Sequence, residues 1–303
     1  MSYYDNSLDI INLRGRQFRR LSFLSIPKGV FNSEGLLLTL NKNYKTCNGK
    51  RVLFKCLDAQ ESPRIMDRKL DIVDYLHTSK YNELDELVVP EYLVMVDNEF
   101  AGFGMELIEQ SRNLGHVINS NKVDFKTKKK YLEQLGDLID KVDRVEDDKK
   151  FYFGDLNEYN FLIDKNDNIK AIDLDSSYVD GLEGISPPSM AFYLLRNFDL
   201  WSLPNKYKRS NLGIVIPNKD SDLYSYLMII LSIISNHNMH EEDMTTYYRY
   251  LLFLESKGVD PRLIDMFRNV YSSKENENPR GLISGLDDNL PHSTSFKQFK
   301  KSF

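Results

Sequence analysis

The chain has 303 residues, enough to bury a sizeable core as one large domain or two lobes, with 41% hydrophobic and 28% charged residues. Its net charge of −5 argues against a nucleic-acid partner, and its two cysteines, Cys47 and Cys56, are too few for a disulfide framework and read as reduced thiols. Asp5 and Asp9 interrupt any secretory h-region, and the longest apolar run, near Tyr226 to Ile234, is too short to cross a bilayer, so a cytoplasmic protein without membrane contact is expected.

Residues 1–19 are polar and mixed, with Arg14, Arg16 and Arg19 near the end, and read either as a segment packed on the domain or as a flexible arm. Leu21 to Ile26 reads as a strand, Pro27 to Gly35 as a loop holding Gly29, and Leu36 to Leu40 as a second strand. Asn48-Gly49 marks a turn before a third strand, Arg51 to Leu57. Lys55 lies inside that apolar run; alone, it reads as an outward-facing lysine on a half-exposed strand, and the glycine-bearing loop reads as a plain hairpin connection. Ser62-Pro63 opens a helix as N-cap and first helical residue, with Ile65, Met66, Leu70, Ile72, Val73 and Leu76 on its apolar face. Asp67, Asp71 and Asp74 lie along its polar side. Ser79 to Glu86 is a solvated connector. Leu87 to Val96, an Asp97-Asn98 turn and Phe100 to Ile108 form a second hairpin.

Gln110 to Asn121 is polar, and Phe125 to Val142 reads as a helix with Leu132, Leu135, Leu138, Ile139 and Val142 on one face. Lys126 and Lys128 to Lys130 read as its solvated end. The next stretch carries the chemistry. Phe161 to Ile163 is a short strand, Lys165-Asn166-Asp167-Asn168 a turn, and Ile169 to Ile172 the returning strand. Asp155 and Asn160 precede the hairpin and Asp173 follows it. A hairpin brings its outer ends together, so two carboxylates and an amide converge at one edge. Such a set suits a divalent cation and a proton acceptor.

From Asp173 to about Asn218 few segments are periodic, which is long for a plain link. Asp222 to Ile234 is apolar nearly all round, as a core helix must be, and Asp220, Ser221 or Asp222 can cap it. Glu242 to Lys257 and Pro261 to Tyr271 read as two more helices. Asn278-Pro279-Arg280 precedes Leu282 to Leu290, and Pro291 to Phe303 reads as a mobile basic tail. The five histidines, His77, His116, His237, His240 and His292, form no hydrolase or zinc arrangement.

Gly154-Asp155-Leu156-Asn157-Glu158-Tyr159-Asn160 resembles the catalytic loop of the protein-kinase-like superfamily, and Asp173 falls where that family has its metal-binding aspartate. Gly154 is closer to the small-molecule and atypical kinases. Phe153 replaces the histidine of both groups, Asn157 replaces the lysine usual in Ser/Thr protein kinases, and Leu174-Asp175 replaces the common Phe-Gly. The resemblance implies an α+β, bilobal protein-kinase-like fold. A small β-rich N-lobe would span 21–109 and a larger, mainly helical C-lobe 110–290, flanked by an extension at 1–20 and a tail at 291–303.

By that resemblance Gly29 and Gly35 belong to a phosphate-covering loop, although the family's glycine pattern is absent. Lys55 would grip the ATP phosphates. The backbone of Glu106 and Ile108, in a hinge running from Met105 to Glu109, would hold the adenine. Asn160 and Asp173 would hold Mg²⁺ or Mn²⁺, and Asp155 would be the catalytic proton acceptor. Asp222 would hold the catalytic loop. The helix glutamate that orients the lysine in this family has no counterpart, leaving Asp71 or Asp74 as substitutes. Arg280 stands where an arginine ties down the activation segment. Ser176, Ser177, Tyr178 and Ser186 are candidate phosphorylation sites. The implied activity is ATP-dependent phosphorylation of protein Ser/Thr hydroxyls. A small-molecule kinase of the aminoglycoside or choline type and a non-catalytic nucleotide-binding scaffold are the alternatives.

Overall fold

The computed structural model describes residues 7–23, 35–40, 44–58, 62–182, 204, 206–207, 216–274 and 277–302. The fold is mixed α+β, with a sheet-rich region followed by a helical one. Strands Asp9–Leu13 (β1), Ser22–Phe23 (β2), Gly35–Thr39 (β3), Val52–Leu57 (β4), Tyr92–Val96 (β5) and Glu99–Glu106 (β6) form one sheet in the order β1-β5-β6-β4-β3-β2. The pairing of β1 with β5 is parallel and the rest is antiparallel. The polar N-terminal stretch therefore supplies an edge strand, with Leu8, Ile11 and Leu13 buried. The β5–β6 turn follows its sequence: Asp97 and Asn98 both have positive φ, which residues of this type tolerate.

Side chains alternate across β4. Val52 and Phe54 join Ile11, Leu38 and Val94 on one face. Leu53 and Leu57 lie on the other with Leu93, Phe103 and Met105, under Leu70 and Val73 of helix Pro63–Thr78 (α2). Lys55 shares that second face by register. Ser62 caps α2 by accepting from Ile65 N–H, with Pro63 at the first helical position. The connector after α2 keeps Lys80, Asn82, Glu83 and Asp85 exposed but is anchored: Lys80–Glu83 forms a 3₁₀ turn, and the hydroxyl of the fully buried Tyr81 accepts Phe151 N–H at 3.0 Å.

Helix Phe125–Arg144 (α4, after the short α1 at Gly15–Phe18 and α3 at Leu114–Ile118) packs on helix Lys219–Ser235 (α5). Most of α5 is buried, with Leu223, Leu227, Ile230 and Ile234 in a core that also takes Leu135 and Ile139 of α4. Its cap is Asn218, which accepts Ser221 N–H at 2.9 Å, rather than Asp220, Ser221 or Asp222. Helices Met244–Ser256 (α6) and Pro261–Asn269 (α7) follow, each capped by the preceding aspartate.

The expectations for the lysine cluster and the tail are corrected, and Arg280 is found against α4. Lys129 is buried rather than solvated; its ammonium donates to Leu286 O and pairs with Asp288 at 2.8 Å. Arg280 pairs with Asp137 at 2.5 Å and Asp140 at 3.1 Å, tying the C-terminal stretch to α4. The presumed mobile tail folds into helices Leu290–Thr294 (α8) and Phe296–Ser302 (α9). Phe296 and Phe299 are buried against Tyr250, and Phe299 also against Phe253. Aromatic spacing outweighs the basic character of this segment.

Candidate functional site

The hairpin forms as its sequence dictates. Strands Phe161–Ile163 (β9) and Ile169–Ala171 (β10) pair antiparallel, with β7 (Arg112–Asn113) beside β9, after the short β8 at Phe151–Tyr152. Asp164 Oδ1 accepts from Asn166 N and Asn168 N at 2.8 and 2.9 Å, and Asp167 takes positive φ. The hairpin is joined to the sheet-rich region. Val88 N donates to Ala171 O and Ala171 N to Glu86 O, and Leu162 and Ile172 pack against the α2 side of the sheet.

Asp155 and Asn160 meet at the hairpin's entrance. Asn160 Nδ2 donates to Asp155 O at 3.0 Å and to its Oδ2 at 3.3 Å. Asn160 O accepts Ile172 N–H at 2.9 Å, which sets the residue before Asp173 against the same loop. Asn157 donates to Asp155 Oδ2 at 3.0 Å while its own Oδ1 accepts Tyr159 N–H. This residue, which lacks the expected lysine charge, thus holds the Asp155 carboxylate. Its signal in the sequence is an asparagine two positions after an aspartate, the spacing of local side-chain-to-backbone turns.

The loop is held from beneath. Asp222, on the first turn of α5, is buried and accepts Phe153 N–H at 2.8 Å and Gly154 N–H at 3.1 Å. Gly154 has φ near +68°, and a Cβ there would lie 3.2 Å from Pro217 Cγ. Both the positive φ and the near contact favour glycine there. Burial pushes the Asp222 carboxyl up to about 7, against the two N–H donors that favour its anion; Asp155 adds to the upward shift.

Asp173 leaves β10 in the left-handed region, φ 67° and ψ 33°. The chain then makes a 3₁₀ turn over Leu174–Ser176. Aspartate tolerates that conformation better than most residues. The turn sends two carboxylates toward Lys55. Asp173 Oδ1 accepts from Lys55 Nζ, and Asp175 accepts from it with Oδ1 at 2.7 Å and Oδ2 at 2.9 Å. Lys69 of α2 approaches Asp175 Oδ2 at 3.5 Å. The side chains of Lys55, Lys69 and Asp175 are at most 4% exposed, whereas Asp173 is 25% exposed.

Burial alone would lower the Lys55 pKa, but Asp175 and Asp173 outweigh it and hold the ammonium above its ordinary value. Burial likewise works against the Asp175 anion, and Lys55 and Lys69 outweigh it, holding that carboxyl below its ordinary value.

The carboxylates paired with Lys55 come from the turn after β10 and not, as expected, from α2, whose contribution is Lys69. Asp74 instead accepts Ser7 N–H at 2.7 Å and Ser7 Oγ–H at 2.6 Å. Asp71, pushed up by burial and by Asp67 and Asp74, appears in no ion pair with Lys55. Lys69 was legible in principle: it stands three after Met66 and four before Val73, within the apolar stripe, where a solvated lysine does not belong.

In the expected hinge, Met105 and Ile108 are buried, Leu107 N donates to Arg51 O at 2.8 Å, and Glu106 pairs with Lys50 at 2.5 Å. Gly35 is the first residue of β3, opposite Leu57, rather than the last of a loop. Gly29 and Ser186 lie outside the described residues, as does most of the segment from 183 to 215. Among the described residues no three His, Cys, Asp or Glu side chains cluster to hold a metal, and no helix is long and apolar enough to cross a membrane.

No family model matches the chain, and no curated protein matches it.

Proposed function

We propose that the protein is an ATP-dependent phosphotransferase of the protein-kinase-like kind, acting on a Ser/Thr hydroxyl of a protein. On this reading the sheet-rich and helical regions are the two lobes, and the nucleotide lies between them near Lys55. The observation that carries it is the pairing of Lys55 on β4 with Asp173, 118 positions away, at a hairpin whose other end presents Asp155 and Asn160.

The residues suit a hard cation. Asn160 spends its amide N–H on Asp155, leaving Oδ1 as its acceptor, and Asp173 is the partly exposed carboxylate of the ion-paired group. Two protein oxygens with the remainder from phosphate and water is a usual Mg²⁺ arrangement, and Mn²⁺ takes the same ligands. Asn160 and Asp173 would hold it, and the bound cation supplies neutralisation of the triphosphate charge.

Lys55 offsets charge on the α- and β-phosphates of ATP. Asp155, steadied by Asn157, receives the hydroxyl proton as the substrate oxygen bonds to the γ-phosphorus. The bond from that phosphorus to the bridging oxygen breaks, and ADP leaves. The backbone at Glu106 and Ile108 takes the adenine edge, and Gly29 and Gly35 border the phosphates. Asn157 in place of a lysine favours, as a second reading, a small-molecule hydroxyl as acceptor.

Incubation with labelled ATP and Mg²⁺ separates these readings. Label on the protein itself or on added Ser/Thr peptides supports a protein kinase. Transfer confined to aminoglycosides or amino alcohols supports the second reading. Full activity in a folded Asp173→Ala variant overturns both.

A further inference from the structure

Resting on the phosphotransfer reading, we infer that Asp175, clamped between Lys55 and Lys69, is the positioning residue for the phosphate-gripping lysine. The orienting carboxylate thus comes from the turn after β10, and α2 contributes a cation instead of an acid. The geometry supports this division of labour. Asp175 meets Lys55 Nζ with both oxygens, at 2.7 and 2.9 Å, and is sealed from solvent. Asp173 reaches the same ammonium but keeps a quarter of its side chain exposed. Asp173 can therefore turn toward a ligand while Asp175 stays with Lys55.

Lys69 explains why the arrangement holds together. Lys55 faces two carboxylates, Asp173 and Asp175; Lys69 Nζ, 3.5 Å from Asp175 Oδ2, adds a second positive charge beside the buried carboxylate. A buried charge without compensation is costly. Helix α2 is also fixed at its flanks. Asp74 accepts from Ser7, and Tyr75 donates to Lys149 O at 2.8 Å. The helix is thereby pinned to β1's lead-in, to the turn at Asp175 and to the segment before β8. Lysine orientation is built into the fold and does not await a swing of α2.

The test compares the full-length wild type with Asp175→Asn, Lys69→Gln and the double variant Lys69→Glu/Asp175→Asn. The readouts are the Kd for metal-free ATP by calorimetry, kcat and KM for ATP with Mg²⁺, and the circular dichroism melting curve. Asp175→Asn is expected to weaken ATP binding about tenfold and to lower kcat about a hundredfold. Lys69→Gln is expected to weaken binding by several-fold. The double variant returns a carboxylate from the helix side and is expected to recover at least part of the loss, which a merely structural role would not produce.

If Asp175→Asn does not fold, Lys69→Gln carries the test, and unchanged ATP affinity in it overturns the inference. Wild-type kinetics in a folded Asp175→Asn variant overturn the inference alone. A wild type that neither binds nor consumes ATP overturns the phosphotransfer reading and this inference with it.

Discussion

The carboxylate of Asp222 accepts the backbone N–H of Phe153 at 2.8 Å, from a helix that begins 66 positions further along the chain. With the second bond, to Gly154, it fixes the backbone that carries Asp155 to a helix that is mostly buried. This contact has a pH consequence. The folded carboxyl sits near 7 against an ordinary 3.8, so the folded chain holds the proton more tightly than the unfolded chain. The stability this group contributes is present below about pH 4 and is lost as pH rises through 7. Asp222→Asn removes that decline, worth at most about 4 kcal/mol. It also leaves one buried N–H without its acceptor, at about 1–3 kcal/mol. Urea titrations from pH 4 to 8 should show a flatter profile for the variant; parallel profiles would contradict the assignment.

Gly154, in the same loop, donates its N–H to Asp222 at a positive φ. Alanine at this position meets both the positive φ and the nearby Pro217. Gly154→Ala should destabilise the fold by about 1–2 kcal/mol and move Asp155. The expected kinetic signature is a fall in kcat with little change in KM for ATP. An unaltered melting temperature would show that the loop adjusts freely.

Asn157 holds the Asp155 carboxylate without contributing a charge. Asn157→Ala should leave the melting curve almost unchanged, because the residue is only partly buried. It should lower kcat about tenfold, as expected for loosened alignment of a proton acceptor. Asn157→Lys, which introduces the residue common in protein kinases, separates the acceptor classes: retained activity on peptides supports the protein-kinase reading.

The last helix is a structural element. Phe299 packs on Tyr250 and Phe253. Phe299→Ala should cost about 3–5 kcal/mol, read as a lower denaturation midpoint. A change under about 0.5 kcal/mol would mean that α9 is dispensable for stability.

Much of this fold is legible in local chemistry. The β9–β10 hairpin, the Asp97-Asn98 turn, the Ser62-Pro63 helix start and the apolar α5 each follow from residues adjacent in sequence. The contacts of Asn160 with Asp155 and with Ile172, the residue before Asp173, are likewise local to the hairpin. What escapes local reading is tertiary. Strand β1 is recognisable only by its parallel pairing with β5, some 80 positions away. Lys69 and Lys129 are charged residues in buried places, and their partners, Asp175 and the Ser284–Asp288 segment, are remote in sequence. Asp175 itself sits two residues beyond a more conspicuous aspartate. Its position depends on the left-handed conformation of Asp173, which no spacing rule anticipates.

The central claim is that Asp155 and the Lys55–Asp173 pair serve one reaction, transfer of the γ-phosphoryl group of ATP to a hydroxyl. Mass spectrometry of the purified full-length chain after incubation with ATP and Mg²⁺, beside an Asp155→Ala variant of matched melting temperature, tests it most directly. The account predicts ADP together with a phosphorylated acceptor for the wild type and neither above background for the variant. ADP and phosphorylated acceptor formed equally by both proteins, or by neither with any acceptor supplied, would contradict it.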